Sequence, residues 1–290
     1  MPSERELRQR ARSIKNIQQV TRAMQLVAAS KMRRAQAAVL ASRPFEERLR
    51  TVLNDLAPYA DPETHPLLAR REVKRALVVL VTTDRGLVGP MNVNLLRATL
   101  KFAQARPGTC YVAVGRKGIN GLRRMRVRVV AEFAGLADRP TTADTNPIAR
   151  ILQQEFLTGN VDEVHLAFTR FVNTLRQVPT TRRILPLVPE DEDSGALPPL
   201  QYLFEPDAAT VLAQVLPRFV ELAVFQAVLE SKASQWSAQM VAMRSATDAA
   251  LDIIADLTLA ANKARQTRIT KEMLEIASGA LLVVAPHRLG

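Results

Sequence analysis

Two stretches at opposite ends of the chain almost lack the residues that stop helices. From Ser3 to Leu56 there is no glycine and one proline, Pro44. Between Arg218 and Ala285 there is no proline and one glycine, Gly279. At 1.5 Å per residue such helices extend roughly 80 and 115 Å, too long for ordinary globular elements. Ser3 and Glu6 have the spacing of a capping box and mark the first start. Asp207 is placed as the N-cap of the second, with Pro286 as its stop. Pro44 predicts a kink or break, and Pro217 predicts that the regular part of the second helix opens there, as a first-turn proline.

Both stretches carry a heptad pattern. In the first, the a positions read Leu7, Ile14, Thr21, Ala28, Ala35, Ser42, Leu49 and Leu56, and the d positions Ile17, Met24, Lys31, Ala38, Phe45 and Val52. In the second, a seam runs from Leu212, Val215, Phe219 and Leu222 to Ala261 and Ala264, broken by only two polar residues, Gln226 and Thr247. Beyond Ala264 it lapses into Arg265, Gln266, Arg268, Lys271 and Glu272, then reaches the apolar run Ala280–Ala285. A lone helix with an exposed apolar seam is not stable in water. The two seams therefore predict one long antiparallel coiled coil of N- and C-terminal helices, left-handed because the period is 3.5.

Between them the pattern changes. Ala76–Val81, Cys110–Val114 and Val164–Phe171 read as strands, and Asn92–Ala105 and Asp144–Leu157 as the helices between them. This alternation predicts a small inserted α/β, Rossmann-like domain with a largely parallel sheet. The fold expected is α+β/α, divided into a coiled-coil helix at 1–57, an α/β domain at 75–190 and a second coiled-coil helix at 207–286. Pro189–Gly195, with its run of four acidic residues, reads as a loop.

Chemistry is hard to find in these residues. His65, His165 and His287 have no metal-ligand spacing, and His165 reads as a packed strand residue. Cys110 lies in an apolar run and reads as a buried small hydrophobe; a single cysteine excludes an intrachain disulfide and suits a reducing compartment. No run of 18 apolar residues exists and the N-terminus lacks the shape of a signal peptide, so membrane association is expected only through partners. The net charge is +12, and residues 1–50 hold twelve Arg and Lys against four Glu. That balance suits nucleic acid or an acidic protein surface, although the basic end has no interleaved aromatics for stacking bases.

Two segments are specific enough to carry a resemblance. Ser13-Ile14-Lys15-Asn16-Ile17 continues through Thr21-Arg22-Ala23-Met24 to Lys31-Met32-Arg33, and Asn262-Lys263-Ala264-Arg265-Gln266 continues through Ile269-Thr270-Lys271-Glu272 to Glu275-Ile276 and Ser278-Gly279-Ala280. Both are similar to the gamma subunit of F-type ATP synthases, as are Thr83-Asp84-Arg85-Gly86-Leu87 and Tyr202-Leu203-Phe204-Glu205-Pro206-Asp207. The resemblance spans essentially the whole chain. It implies the central rotor stalk of a proton- or sodium-translocating ATP synthase, not catalytic by itself and without cofactors or metals. The implied partners are the alpha and beta subunits, the epsilon subunit and the c-ring, with no nucleic acid and no direct membrane insertion. The implied place is the cytoplasmic face of the bacterial cell membrane, as a peripheral component. Carried over residue by residue, Met24, Lys31, Arg33, Arg265, Gln266, Thr270 and Glu275 become torque contacts, and Tyr202 and Glu205 become the foot on epsilon and the c-ring. The family's glycine-rich turn stands here as Gly86-Leu87-Val88-Gly89-Pro90-Met91, which Pro90 stiffens. The alternative reading is a basic coiled-coil protein that binds nucleic acid.

The turn at Thr82–Asn92 meets a helix, where α/β domains bind ligands, but it lacks the glycines and lysine of a phosphate cradle. Calorimetry on the purified chain should accordingly show no micromolar binding of ATP or NAD. Heat of binding in that range would restore an enzyme reading.

Overall fold

The computed structural model describes residues 3–56, 66–69, 71–106, 108–187 and 208–284, apart from the side chains of 50, 53–56, 208, 209 and 280–284. Asp207, Pro286, Ala285, the 189–195 loop, His65, His287, Tyr202 and Glu205 lie outside the described residues. The elements in order are α1 (Glu4–Leu56), a short 3-10 turn (Pro66–Leu68), β1 (Ala76–Val81), α2 (Met91–Gln104), β2 (Cys110–Val114), α3 (Arg116–Arg124), β3 (Val129–Phe133), α4 (Thr142–Leu157), β4 (Glu163–Phe171), β5 (Gln177–Leu185) and α5 (Ala208–Val284). They form two compact units, one of residues 1–26 with 243–290 and one of 27–242.

In the larger unit the five strands run in the order β3-β2-β1-β4-β5. β1, β2, β3 and β4 are parallel, and β5 returns antiparallel to β4. The α/β expectation therefore holds, with α3, β3 and β5 added to the elements read from the sequence. Those three have weak patterns: α3 carries Gly118 and Gly121 beside four basic residues, and β5 carries Pro179, which edge strands tolerate. The strand β1 alternates between two cores. Leu77, Val79 and Val81 face a cluster with Ile148, Leu152 and Phe156 of α4 and Leu216, Val220, Val224 and Val228 of α5. Val78 and Leu80 face Leu95 of α2 and Ile119 and Leu122 of α3. A sheet covered on both faces explains why β1 and β2 are uninterrupted apolar runs.

His165 is buried on the second face. Its Nε2–H donates a 2.7 Å hydrogen bond to the Glu163 carboxylate, and its ring meets the Phe102 ring edge-on at 4.7 Å. Burial lowers its pKa, against the opposing pull of Glu163. Cys110 is buried too, and burial raises its thiol pKa, as suits a packed hydrophobe.

Within this unit α5 has a second set of neighbours on α1. Trp236 packs on Ala28 and Met32, and Leu229 and Ala233 pack on Val39 and Phe171. Above the apolar contacts sits a polar junction. Arg43 donates through Nε (3.0 Å) and Nη2 (2.8 Å) to the Glu230 carboxylate, and through Nη2 to the Phe171 carbonyl at 2.7 Å. Glu230 also accepts the Phe171 N–H at 2.8 Å and the Gln226 amide at 3.3 Å. Ser42 then donates to Gln226 at 2.6 Å. One carboxylate thus ties α1, α5 and β4 together.

In the smaller unit the two terminal helices also run antiparallel. Thr21 and Thr247 share a 2.8 Å hydrogen bond, and Arg268 reaches Glu4 at 3.4 Å. Ser3 caps α1 by accepting the Glu6 N–H at 3.3 Å, while the Glu6 carboxylate turns to Arg10 instead of closing the capping box.

The seam of α5 falls where the sequence places it: Leu212, Phe219, Leu229, Ala233, Trp236, Met243, Ala250 and Ala261 are buried. Half of the α1 seam does not. The a series holds, with Leu7 and Ala28 buried, but the companion row is one residue later, at Ala11, Gln18, Gln25, Met32, Val39 and Glu46. Ile17 and Phe45, expected inside at d, are 53% and 62% exposed. The physical reason is close approach: small Ala28 and Ala35 admit the partner helix, and the bulkier offset is turned away. Pro44 neither breaks nor ends α1, because it sits on the solvent side, where the carbonyl it leaves unpaired meets water. Pro217 likewise lies inside α5, nine residues after its start at Ala208, instead of opening it. By length and composition α5 is apolar enough to cross a membrane, but half of its apolar window is buried within the fold.

Two outcomes test this packing. Cysteines at Thr21 and Thr247 should form an intramolecular disulfide on mild oxidation, seen as a mobility shift without reductant; failure to form it would remove the antiparallel contact. Glu230→Ala should lower the unfolding free energy by about 3 kcal/mol in urea titrations, because Phe171 N–H and Arg43 lose their acceptor in a largely buried place. A loss below about 1 kcal/mol would show that the junction is incidental.

Candidate partner-facing surface

The place where an α/β domain of this topology takes a ligand is the crevice at the carboxyl ends of β1 and β4, where the strand order reverses. Here the chain fills it with α5. Ser234 donates to the Thr169 carbonyl at 2.9 Å, Ser231 accepts the Thr169 N–H at 3.5 Å, and Lys232 donates to the Leu136 carbonyl at 3.0 Å. Burial lowers the Lys232 pKa, opposed by Asp138 and Asp84.

The amide donors that would hold a phosphate are also taken. Asp84 accepts the N–H of Arg116, the first residue of α3, at 3.1 Å, and that of Gly135 at 3.2 Å. Thr82 Oγ1 accepts the Gly118 N–H at 2.7 Å and donates to the Val114 carbonyl at 2.9 Å. Gly115 lies at φ 91°, and a Cβ there would come within 2.3 Å of the Thr82 carbonyl. In the Thr83-Asp84-Arg85-Gly86-Leu87 segment the Thr83 hydroxyl and the Asp84 carboxylate are thus engaged in structural hydrogen bonds, Thr83 donating to the Arg85 carbonyl and accepting from the Asn92 amide.

The sequence-derived contact residues divide into four groups. Arg265, Gln266, Thr270 and Glu275 are all exposed on α5 beyond Ala264, the last residue of the seam. Every residue from Arg265 to Gly279 is exposed, and Ile269, Met273, Leu274 and Ile276 are 43%, 65%, 62% and 72% exposed. Charges along this segment pair locally, Arg268 with Glu272 at 2.9 Å and Lys271 with Glu275 at 3.8 Å. Arg33 is exposed and Met24 half-buried on α1. Around them Ile17, Val20, Leu26 and Val27 are each more than half exposed.

Lys31 is placed differently from the expectation that it faces a partner. Its ammonium bonds Asp138 at 2.5 Å and lies 4.5 Å over the Trp236 ring. Burial acts upward on the Asp138 pKa, but the Lys31 hydrogen bond and charge, with Lys232 and Arg85, bring it below its ordinary value. Lys31 thus fastens α1 to the α/β domain. The signal in the sequence was its d assignment, which the true register moves to the flank of the seam. Tyr202 and Glu205 fall outside the described residues. The exposed apolar residues of α1 are the feature sequence reasoning missed: it counted Ile17 as core and gave Val20, Leu26 and Val27 no place. Among the described residues no group of His, Cys, Asp and Glu is arranged to hold a metal ion.

Comparison with known proteins gives one consistent result. The ATP synthase family model matches residues 3–281. The chain is 46% identical over 287 residues to the ATP synthase gamma chain of Dehalococcoides mccartyi, covering 97% of this chain and 99% of that one. It is 47% identical over 286 residues to the ATP synthase gamma chain of Roseiflexus castenholzii, covering 97% and 98%. Among solved structures it resembles a chain of the Euglena gracilis mitochondrial ATP synthase (OSCP/F1/c-ring, rotational state 3), with a TM-score of 0.69 and 19% identity over 99% of this chain and 96% of that one. It also resembles a chain of the Tetrahymena thermophila mitochondrial ATP synthase central stalk and c-ring, with a TM-score of 0.63 and 22% identity over 78% and 99%. Those two likenesses concern the fold. Matched along nearly its full length by both the family model and relatives at this identity, the chain belongs to the gamma-chain family of F-type ATP synthases.

Proposed function

We propose that this chain, the central rotor stalk of an F-type ATP synthase, delivers torque through the lone end of α5 and the outer face of α1. The observation that carries this is the run of exposed residues 265–279, where large apolar side chains stand in solvent and the one hydrogen-bonded contact to α1 among the described residues is Arg268 with Glu4. Ile269, Met273 and Ile276 recur at helical spacing and form a stripe that needs a protein surface around it. Apolar contacts without direction suit a bearing. Arg265, Gln266, Thr270 and Glu275 supply directional contacts at the same level, and these act in only some rotary positions. A ligand site can be driven through different states only by contacts that differ between them.

The surrounding surface is that of the alpha and beta subunits, and Met24 and Arg33 meet it from α1. Lys31 contributes by holding α1 in place. The catalytic chemistry belongs to the neighbouring subunits. Tyr202 and Glu205 form the foot on epsilon and the c-ring, and the complex lies on the cytoplasmic face of the membrane. Nothing in the comparisons favours the nucleic-acid reading.

Replacing Arg265 and Gln266 together by Ala should lower ATP turnover of the assembled complex about fivefold and weaken assembly. The isolated chain should keep its stability to within about 0.5 kcal/mol, since both side chains are exposed. Arg8→Ala, which removes only a surface pair with Glu4, serves as the control and should do less. Normal assembly and turnover in the double variant would remove the torque role.

A further inference from the structure

We infer that the open edge of β3 is a docking site for an extended acidic polypeptide segment, added to the sheet as a further strand. Among the described residues β3 pairs only with β2. The outward N–H and C=O groups of Val129–Phe133 have no strand partner there, which makes them a template for another chain. The opposite edge shows what a protected border looks like. β5 carries Pro179, Arg182 and Arg183, and Arg182 pairs with Glu46 of α1. On β3 four of five residues are uncharged and apolar, and the one charge, Glu132, is held by Arg123 of α3. The irregularity in its pairing falls opposite Tyr111 and Val112, so Ala131–Phe133 keep regular register.

The rim of this edge sets the sign of the partner. From Arg116 to Arg128 there are six cationic residues and no acidic one. Arg124, Arg126 and Arg128, in the α3–β3 corner, are exposed and make no ion pair among the described residues. Their field favours a negatively charged partner. The backbone selects its class. A strand edge presents carbonyl acceptors as well as amide donors, and only a polypeptide backbone answers both at strand spacing. Phosphate groups of a lipid or nucleic acid offer acceptors alone at neutral pH. This inference concerns a different surface from the torque contacts and stands apart from them.

The test uses the full-length chain and a blocked ten-residue peptide of alternating Val and Glu, with a version carrying a central proline as control. Fluorescence anisotropy should show micromolar binding of the first and none of the second. Amide hydrogen exchange at Val129–Phe133 should slow about tenfold on binding, without a matching change in β5. The triple variant Arg124→Glu, Arg126→Glu, Arg128→Glu should weaken binding about tenfold or more, whereas the three Arg→Lys changes should retain most of it. Circular dichroism checks that both variants are folded; should the Glu variant unfold, loss of binding in high salt with the native chain makes the same distinction. Absence of peptide binding overturns the proposal. Binding without protection of β3 overturns it too, as does equal competition by an oligonucleotide or by phosphatidylglycerol vesicles, which would mark a plain polyanion surface.

Discussion

The larger unit depends on one helix being covered on two sides at once. Between Leu212 and Ser237, α5 gives Val220, Val224 and Val228 to the sheet and Leu229, Ala233 and Trp236 to α1. A helix that is apolar around most of its circumference belongs inside a protein, and this part of α5 is inside. Of the polar residues on it, Gln226, Glu230, Ser231 and Ser234 are buried and bonded, whereas the buried Ser237 Oγ has no hydrogen-bond partner among the described residues. Glu230 is the most demanding of these. Its charge is stable there because Arg43 and the Phe171 N–H answer it, and in doing so it fixes the rotation of α1 about its axis. The same burial fills the crevice that other α/β domains leave open for ligands.

Much of this was legible in the residues. The α5 seam could be read correctly because Leu, Met and Ala alternate on one row, with polar residues beside it. The strands β1 and β2 were legible because burial on both faces demands unbroken apolar runs. The register of α1 was half misread for the same reason that makes the helix useful. It has two apolar rows, and the larger side chains, Ile17 and Phe45, lie on the outer one. Hydrophobic pattern reports that a side chain avoids water, without saying whether its own chain or another provides the cover.

The contact residues show the same limit. Arg265 and Gln266 were legible as outward-facing because the seam ends at Ala264, a one-dimensional feature. The fate of Lys31 was not, since it depends on Asp138 and Trp236, each more than a hundred residues away in sequence. The crevice was also hidden: Ser231, Lys232 and Ser234 lie off the heptad row, and nothing in the sequence brings them to Thr169 and Leu136.

The bare end of α5 has a bearing on how such a chain lives before it is assembled. Ile269, Met273, Leu274 and Ile276 are in contact with solvent in the lone chain. Until a partner encloses them they are open to self-association and to proteases or chaperones that recognise apolar helical segments. Surplus copies synthesised without partners are thus the ones left unshielded. An exposed apolar end of this kind couples the survival of a chain to how soon something covers it.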